Sequence, residues 1–263
     1  SHIPKDLMEE EDAVRSRYGA PGSNPLKATF VEEIQATLQT DSSDIEFVRE
    51  RPDVMILIDT LTLRVEVDVR PVFIYGRYIK NSREIPQTRW PCRSCRGRKG
   101  GCEACESSGL QYLDSVQDLI GRPFVTGMGA LDTAFHGMGR EDIDVRCLGG
   151  GRPFVLEVKS PRSRSPELSD YESIISSTCG GRVEVNSLRF SDRKEVARIK
   201  QTRSEKTYTI RFSTKETIDK EKATSLILSL SGVVVEQQTP KRVSHRRADK
   251  NRKRRIISVD EVN

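Results

Sequence analysis

Four cysteines within residues 92–105 constrain this chain more than any other feature of its sequence. They form two Cys-x-x-Cys pairs, Cys92 with Cys95 and Cys102 with Cys105, in the segment CRSCRGRKGGCEAC. Four thiolates at this spacing can close a tetrahedral Zn²⁺ site, and the glycines let the intervening loop turn tightly. Because four cysteines leave no open coordination position, the pattern predicts structural zinc, with an iron–sulfur cluster as the alternative.

Basic residues are clustered rather than spread along the chain. The sequence has 44 Lys and Arg against 39 Asp and Glu, a net charge of +5, with basic runs at residues 89–99 and 241–255. Such clustering favours a polyanionic partner, for which solvated surface charge is the alternative. The second run predicts phosphate contacts by Lys241, Arg242, Arg246, Arg247, Arg252, Lys253, Arg254 and Arg255.

The sequence shows no apolar run long enough for a membrane span and no signal peptide at its acidic, polar start. Paired cysteines of the metal-binding type favour a reducing compartment over a disulfide framework. We therefore expect a cytoplasmic protein with neither a membrane partner nor an evident protein partner.

Periodicity divides the chain into three parts. In residues 1–80, a polar lead-in precedes a helix that starts at Pro25, and three strands follow at 53–59, 61–69 and 72–75. Residues 81–113 contain the paired cysteines and show no regular spacing of apolar residues, which predicts a linker stabilised by a bound metal. Residues 114–263 alternate strands with helices, which predicts an α+β domain with a mixed sheet flanked by helices. Its expected strands are 144–148, 153–159, 182–189, 207–213 and 232–237, and its expected helices are 166–177, 192–202 and 218–230.

The stretch GREDIDVRCLGGGRPF, residues 139–154, is unusually charged. If its first half is extended, period-two alternation places Arg140, Asp142, Asp144 and Arg146 on one face. In one interpretation, Asp144, Glu157 and Lys159 form a Mg²⁺-dependent nuclease site. In another, Asp142 stays ionised between arginines and acts as a nucleophile. An exposed, ion-paired strand face is the third, and spacing alone does not choose among them.

Residues 139–159 strongly resemble the catalytic motif of the archaeal and eukaryal tRNA pseudouridine synthases that act on the T-arm. The segment GRYIKNSREIPQTRW, residues 76–90, is similar to the same family's second signature, and the Cys-x-x-Cys pairs resemble its archaeal branch. KTYTIRF and QQTPKRVSHRR, residues 206–212 and 237–247, are similar to later family segments. The resemblance extends over roughly residues 25 to 259 and leaves two alternatives: the nuclease and a non-catalytic, zinc-containing RNA-binding protein.

This resemblance implies a pseudouridine-synthase-like catalytic domain, preceded by a THUMP-like RNA-binding module and a zinc-knuckle insertion. It implies that uridine 54 or 55 of tRNA is isomerised with Asp142 as the catalytic aspartate, Arg140 displacing the target base and Tyr208 packing against the uracil. Neither an active-site metal nor an organic cofactor is implied. Family members continue with a segment resembling GTYIKEFVHGDFGR, which supplies a tyrosine and an arginine. The 263 residues lack it, so we expect a truncated fragment or an incomplete active site.

Overall fold

The computed structural model of the chain describes residues 3–19, 22–42, 44–215, 217–239 and 249–260. The polypeptide divides into two compact units, residues 1–203 and residues 204–263. The boundary between them falls inside the stretch from 114 to 263 that the sequence assigned to a single domain. Among the described residues, no helix combines the length and the apolarity needed to cross a bilayer.

The first unit begins with two helices and a hairpin. Helix α1 covers Lys5–Tyr18, α2 covers Leu26–Asp41, and strands β1 (Val54–Ile58) and β2 (Val65–Val69) pair antiparallel. The predicted helix after Pro25 is confirmed, whereas the predicted polar lead-in is helical over most of its length. Polar contacts join the two helices: Glu11 accepts hydrogen bonds from Arg15 at 2.8 Å and from the Leu26 N–H at 2.7 Å.

A four-stranded sheet forms the centre of the first unit. Its strands are β3 (Val72–Lys80), β4 (Asp132–Gly137), β5 (Cys147–Lys159) and β6 (Val183–Ser191), in the order β4-β5-β3-β6. All of these pairings are antiparallel, so the α+β class is confirmed but the predicted mixed sheet is wrong for the described residues. The strand at residue 72, which the sequence grouped with the hairpin, is a central strand of this sheet.

Helices cover both faces of the four-stranded sheet. On one face, α3 (Val116–Gly127) and α4 (Leu168–Thr178) pack against alternate residues of β3 and β5, and the resulting core includes Ile74, Ile120, Phe124, Phe154 and Ile175. On the other face, α5 (Arg193–Gln201) contributes Val196 and Ile199 against Val155. Burial of every second residue along β3 follows from the period-two geometry of a strand.

Glu195 ties α5 to strand β6. Its carboxylate accepts hydrogen bonds from Arg189 Nη2 at 2.6 Å and Ser191 Oγ at 2.5 Å, and it also contacts Arg198. The hydrogen bonds from Arg189 are the main reason that the pKa of Glu195 falls to about 2. The helix itself begins with Asp192 accepting from the Glu195 N–H at 3.0 Å, as expected of an N-cap aspartate.

The second unit contains helix α6 (Lys220–Leu228) and strands β7 (Val234–Gln237) and β8 (Arg252–Arg255), which pair antiparallel. The predicted helix at 218–230 and strand at 232–237 are confirmed within a few residues. The predicted strand at 207–213 is wrong, because these residues form no regular secondary structure. In the carboxyl-terminal tail, β8 consists of the last four residues of the basic run, and residues 256–259 after it form no regular secondary structure.

Candidate functional site

The charged residues 138–146 form a loop between β4 and β5. The prediction that Arg140, Asp142, Asp144 and Arg146 share a strand face is wrong, since β5 starts only at Cys147. The loop turns at Asp142, whose carbonyl oxygen accepts the Val145 N–H at 3.2 Å, and Ile143 is buried in the core. Exposure still alternates along the loop, with Arg140, Asp142, Asp144 and Arg146 exposed, so the prediction failed on the secondary structure and not on the order of exposed and buried residues.

Lys80, the last residue of β3, lies directly under this loop. Its side chain is fully buried, and Nζ donates to the carbonyl oxygens of Ile85 at 3.0 Å, Asp142 at 3.2 Å and Ile143 at 3.1 Å. An ammonium group has three donors, so all three are used, which offsets part of the cost of burying the charge. Desolvation lowers the pKa of Lys80, and the neighbouring carboxylates of Glu141, Asp142 and Asp144 oppose that shift.

Glu141 is the centre of a second buried network beneath the loop. Its side chain is only 2% exposed and receives the Tyr78 hydroxyl at 2.6 and 2.7 Å and Gln87 Nε2 at 3.2 Å. Arg152 Nε lies 3.0 Å from the same carboxylate, as an ion pair rather than an aligned hydrogen bond. Desolvation, followed by the charge of Glu141, raises the pKa of Tyr78 well above its usual value. The phenol is therefore a donor throughout the physiological pH range.

Arg140 and Asp142, the residues on either side of Glu141, are both exposed. Arg140 Nη2 donates to Thr88 Oγ1 at 3.1 Å, and Asp142 Oδ1 accepts the Ile143 N–H at 2.8 Å. The two residues that the resemblance identified as arginine and catalytic aspartate thus lie on one loop with their side chains at the surface.

The segment from 76 to 90 forms the wall behind the loop. Besides Tyr78, Lys80 and Gln87, it provides Arg83, which donates to the Asp144 carbonyl oxygen, and Glu84, whose N–H donates to the Ile143 carbonyl oxygen at 2.9 Å. The two longest sequence motifs are therefore in contact along most of the loop. Their co-occurrence in one chain has a direct structural reason.

The Gly-Gly-Gly sequence that follows is the first part of β5. Gly151 has φ of +73°, a backbone conformation that strains any residue with a side chain. A Cβ at this position would also lie 2.9 Å from the Tyr78 carbonyl oxygen, which is too close. Arg77 donates from Nε to the Gly150 carbonyl oxygen at 2.5 Å and from Nη2 to that of Gly151 at 2.8 Å. These contacts fix where the loop enters the sheet.

The four cysteines converge as the sequence predicted. All four Sγ atoms lie within 4.8 Å of one another, with separations of 3.9 Å for Cys92–Cys102, 3.9 Å for Cys95–Cys105 and 3.7 Å for Cys102–Cys105. A tetrahedral site with Zn–S bonds of about 2.3 Å separates its sulfur atoms by about 3.8 Å. The donor set and its dimensions therefore fit zinc.

Backbone N–H groups stabilise the thiolate form of one cysteine of this cluster, and the thiolate is the form that binds metal ions. The N–H groups of Cys102 and Gly109 each donate to Cys105 Sγ at 3.2 Å. Desolvation opposes ionisation of that thiol, but these hydrogen bonds prevail and lower its pKa to about 6. Gly101 permits the tight turn, since its φ is +62° and a Cβ there would lie 2.4 Å from the Ser107 carbonyl carbon.

The ends of the cysteine-containing loop meet. Pro91 forms an antiparallel bridge with Leu110, the Cys92 N–H donates to the Gly109 carbonyl oxygen at 2.8 Å, and the Gln111 N–H donates to that of Trp90 at 2.8 Å. Residues 92–109 therefore leave and rejoin the body of the first unit at one point.

Just before this loop, Arg89 binds Asp118 of α3 at 2.6 Å and Asp132 of β4 at 2.8 Å.

The residues of the nuclease interpretation are not assembled. Glu157 Oε2 accepts a hydrogen bond from His136 Nε2 at 3.0 Å, and Glu157 is paired with Phe73 on β3. The charged loop ends instead at Cys147, which is paired with Lys80. Phe73 and Lys80 are seven positions apart on one strand, which corresponds to roughly 23 Å. Among the described residues, the four cysteines form the one group of three or more potential ligands close enough to share a metal.

Tyr208 and the basic tail belong to the second unit. Tyr208 is 65% exposed in a segment without regular secondary structure. Arg252 is half-buried in β8, and Lys253, Arg254 and Arg255 are exposed. Lys241, Arg242, Arg246 and Arg247 fall outside the described residues.

The sequence interpretation did not single out the buried polar residues that hold the loop: Tyr78, Lys80, Gln87, Glu141 and Arg152. One signal could have identified Lys80. In VFIYGRYIK the period-two pattern buries residues 72, 74, 76 and 78, and it therefore places a lysine at the next buried position. A lysine on a buried strand face requires acceptors, which marks it as a residue with a specific contact.

Comparison with known proteins identifies relatives of the chain. The family described as "Pus10, C-terminal" matches residues 73–263. A protein named "tRNA pseudouridine synthase Pus10" from Methanothrix thermoacetophila is 42% identical over 254 residues, which are 97% of this chain and 55% of that protein. Proteins of the same name from Methanocaldococcus jannaschii and Methanothermobacter marburgensis are 40% and 46% identical, over 98% and 95% of this chain. The chain spans between 55% and 61% of the length of these three relatives.

Proposed function

The chain belongs to the Pus10, C-terminal family, and on that premise we propose that it carries the catalytic aspartate of a tRNA pseudouridine synthase. The observation that supports this most is the presentation of Asp142 at the surface of a loop whose backbone is anchored from below by fully buried Lys80. The name shared by the relatives, tRNA pseudouridine synthase, supplies the substrate class, tRNA, and the product, pseudouridine.

The reaction breaks the N-glycosidic bond of uridine, turns the uracil and rejoins it to the sugar through carbon five. No atoms are gained or lost, so neither an oxidant nor a group donor is required. Asp142 acts as the carboxylate that attacks or deprotonates the sugar, and Arg140 contacts the nucleotide once it has left its stack. The exposed guanidinium of Arg140 lies on the same loop as Asp142, and a guanidinium can bind a phosphate group or stack on a flipped base. Tyr208 is proposed to pack against the uracil.

We propose that the substrate position is uridine 54 or 55 in the T-arm, as the motif resemblance implies. Residues 1–80 contribute a THUMP-like RNA-binding module, residues 81–113 the metal-binding linker and residues 114–263 the catalytic domain, with β3 shared between the first and the last. The tail residues Lys241, Arg242, Arg246, Arg247, Arg252, Lys253, Arg254 and Arg255 contact phosphates. Reduced, metal-binding thiols suit a cytoplasmic location.

Zinc is proposed as a structural ion bound by Cys92, Cys95, Cys102 and Cys105. The sulfur separations near 3.8 Å support it, and a complete set of four thiolates provides no position for a substrate. The ion would close the loop between Trp90 and Gln111. It takes no part in the isomerisation.

The proposed function is tested by incubating the chain with a tRNA transcript and measuring pseudouridine and RNA length. We expect pseudouridine in RNA of unchanged length, with and without brief EDTA treatment, from the chain or from a longer version that matches the relatives' length. Cleaved RNA that depends on Mg²⁺ would indicate the nuclease instead. Binding without either product, in the chain and in a longer version that matches the relatives' length, would leave only an RNA-binding role.

A further inference from the structure

Glu141 is buried between two exposed residues of the candidate active-site loop. Arg140 and Asp142 are exposed, while the side chain of Glu141 is only 2% exposed. Three consecutive charged residues would normally all remain in water, because burying a charge is costly. The inward direction of the middle residue therefore requires a specific set of partners.

Those partners belong to the sheet and to the segment from 76 to 90. Tyr78 on β3 is fully buried and packs edge-on against Phe135 at 5.6 Å and Phe154 at 6.0 Å between ring centroids, so its hydroxyl has a fixed position. Gln87 donates to both the Tyr78 hydroxyl, at 2.9 Å, and Glu141. The carboxylate of Glu141 is thus held by Tyr78 and Gln87, which are themselves buried.

Arg152 on β5 completes the set. Its Nη1 donates to the Met138 carbonyl oxygen at 2.9 Å, and its Nε faces Glu141 at 3.0 Å. Gln87 donates to the Gly139 carbonyl oxygen at 3.1 Å. The loop is therefore fixed at its backbone on one side of Glu141 by Arg152 and Gln87, and on the other side by Lys80.

We propose that Glu141 is a positioning residue whose burial, through the Tyr78 hydroxyl, sets the outward direction of Arg140 and Asp142 for catalysis. A side chain that is anchored inward leaves its two neighbours directed away from the core. Buried ion pairs often add little to stability compared with apolar residues of the same volume, so conformational specificity is the role that suits this one. This inference rests on the proposed function.

The experiment compares Tyr78→Phe and Glu141→Gln with Tyr171→Phe. Tyr171 is a buried tyrosine of the same core that stacks on Phe124 at 4.1 Å, so its variant matches the loss of a hydroxyl without touching the loop. The single-turnover rate constant is measured with enzyme in excess over tRNA, at saturation. That constant reports the geometry of folded enzyme and does not depend on the fraction that is folded.

We expect Tyr78→Phe to lower this rate constant by about 10-fold and Glu141→Gln by about 100-fold, since small misplacements of a reacting group cost that much. The dissociation constant for tRNA should change by less than about 3-fold, because phosphate contacts elsewhere dominate affinity. Tyr171→Phe should leave the rate constant unchanged. Wild-type rate constants in both loop variants, with only a lower melting temperature, would overturn the inference.

A second measurement does not need activity. The Ile143 N–H donates to Asp142 Oδ1 at 2.8 Å, so its hydrogen exchange reports the order of the loop at the aspartate. Tyr78→Phe and Glu141→Gln should accelerate this exchange by at least about 10-fold relative to the amides of β3. Absence of pseudouridine from the wild-type chain and from the longer version alike would overturn the proposed function. Exchange at the wild-type rate in both variants would then overturn the positioning of the loop as well.

Discussion

The ammonium group of Lys80 lies 3.2 Å from the main-chain carbonyl oxygen of Asp142, although 62 positions separate the two residues in the sequence. The lysine is fully buried and the aspartate side chain is exposed. The buried ammonium group therefore holds the main chain of the residue whose carboxylate we assign to catalysis.

Asp142→Asn should abolish pseudouridine formation and leave tRNA affinity within a few-fold of wild type. The change removes the carboxylate charge without a change of volume, so the loop keeps its shape. Pseudouridine is measured after a single turnover, and affinity is measured by filter binding. Asp144→Asn is the matched control, since Asp144 is a second exposed carboxylate of the same loop. Activity in the Asp142 variant, or loss of activity in the control alone, would contradict the assignment.

Lys80→Met should destabilise the first unit by about 3 kcal/mol, because it leaves carbonyl oxygens of the loop without a donor. Lys80→Arg keeps the charge and should recover part of the stability. Urea-induced unfolding measures both. The rate of isomerisation per folded molecule should fall in Lys80→Met as the loop loses its anchor. A methionine variant as stable and as active as wild type would show that the three hydrogen bonds have no net effect.

Purified, reduced protein should contain one zinc ion per chain. Replacing Cys102 and Cys105 with serine should remove the metal and increase proteolysis within residues 92–109, because metal binding contributes local folding energy. Elemental analysis and limited proteolysis test this. Replacing Cys147 and Cys179 is the control, since neither belongs to the cluster. Iron in place of zinc, or no metal at all, would refute the assignment.

Arg254 and Arg255 are exposed at the end of β8, and we expect them to contact phosphates. Changing both to glutamine should weaken binding of matched and mismatched tRNA equally. It should also reduce the slope of log K against log salt by roughly 0.7–0.9 for each phosphate that is no longer neutralised. Arg193 and Lys194 of α5, exposed and outside the basic runs, provide a control of equal charge. An unchanged slope would mean that the strand is only a solvated surface.

Glu195→Gln should lower the free energy of unfolding at pH 7 by about 1–2 kcal/mol after allowance for solvent screening. The pKa of Glu195 is lowered to about 2 in the folded protein. Its stabilising effect is therefore complete above the unfolded pKa, near 4.5, and is lost as the pH falls towards 2. The difference between wild type and variant, measured by urea unfolding from pH 7 to pH 3, should shrink below pH 4.5. A difference that stays constant with pH would show that the ion pairs contribute nothing.

Local signals in the sequence predicted the elements that depend on local interactions. The helix after Pro25 and the helices at α4 and α5 are found within a few residues of their expected bounds, since each has an apolar stripe and a recognisable start. The cysteines converge because their spacing alone restricts them to one loop. Helix α1 was missed because charged residues dominate its sequence and none of its residues is buried, and α3 because Gly121 and Pro123 interrupt its pattern.

The candidate site depends on interactions between distant segments, and these have no signature in a single sequence. The charged residues 140–146 alternate in exposure as a strand would, yet Lys80 binds the carbonyl oxygens of Asp142 and Ile143 and holds this segment as a loop. The contacts made by Tyr78 and Lys80 join positions 62 to 63 apart in sequence. The resemblance to a family named the aspartate, but the reason for its position became evident only in the structure.

The bridge between Pro91 and Leu110 gives the cysteine loop the character of an interchangeable cassette. Because the chain enters and leaves it at one point, residues 92–109 could be excised and replaced with a short turn without moving the strands on either side. Loss or gain of the cassette during evolution would therefore change the surface of the protein while leaving the loop at residues 138–146 in place. A protein engineer could use the same point to graft a foreign recognition element onto the protein.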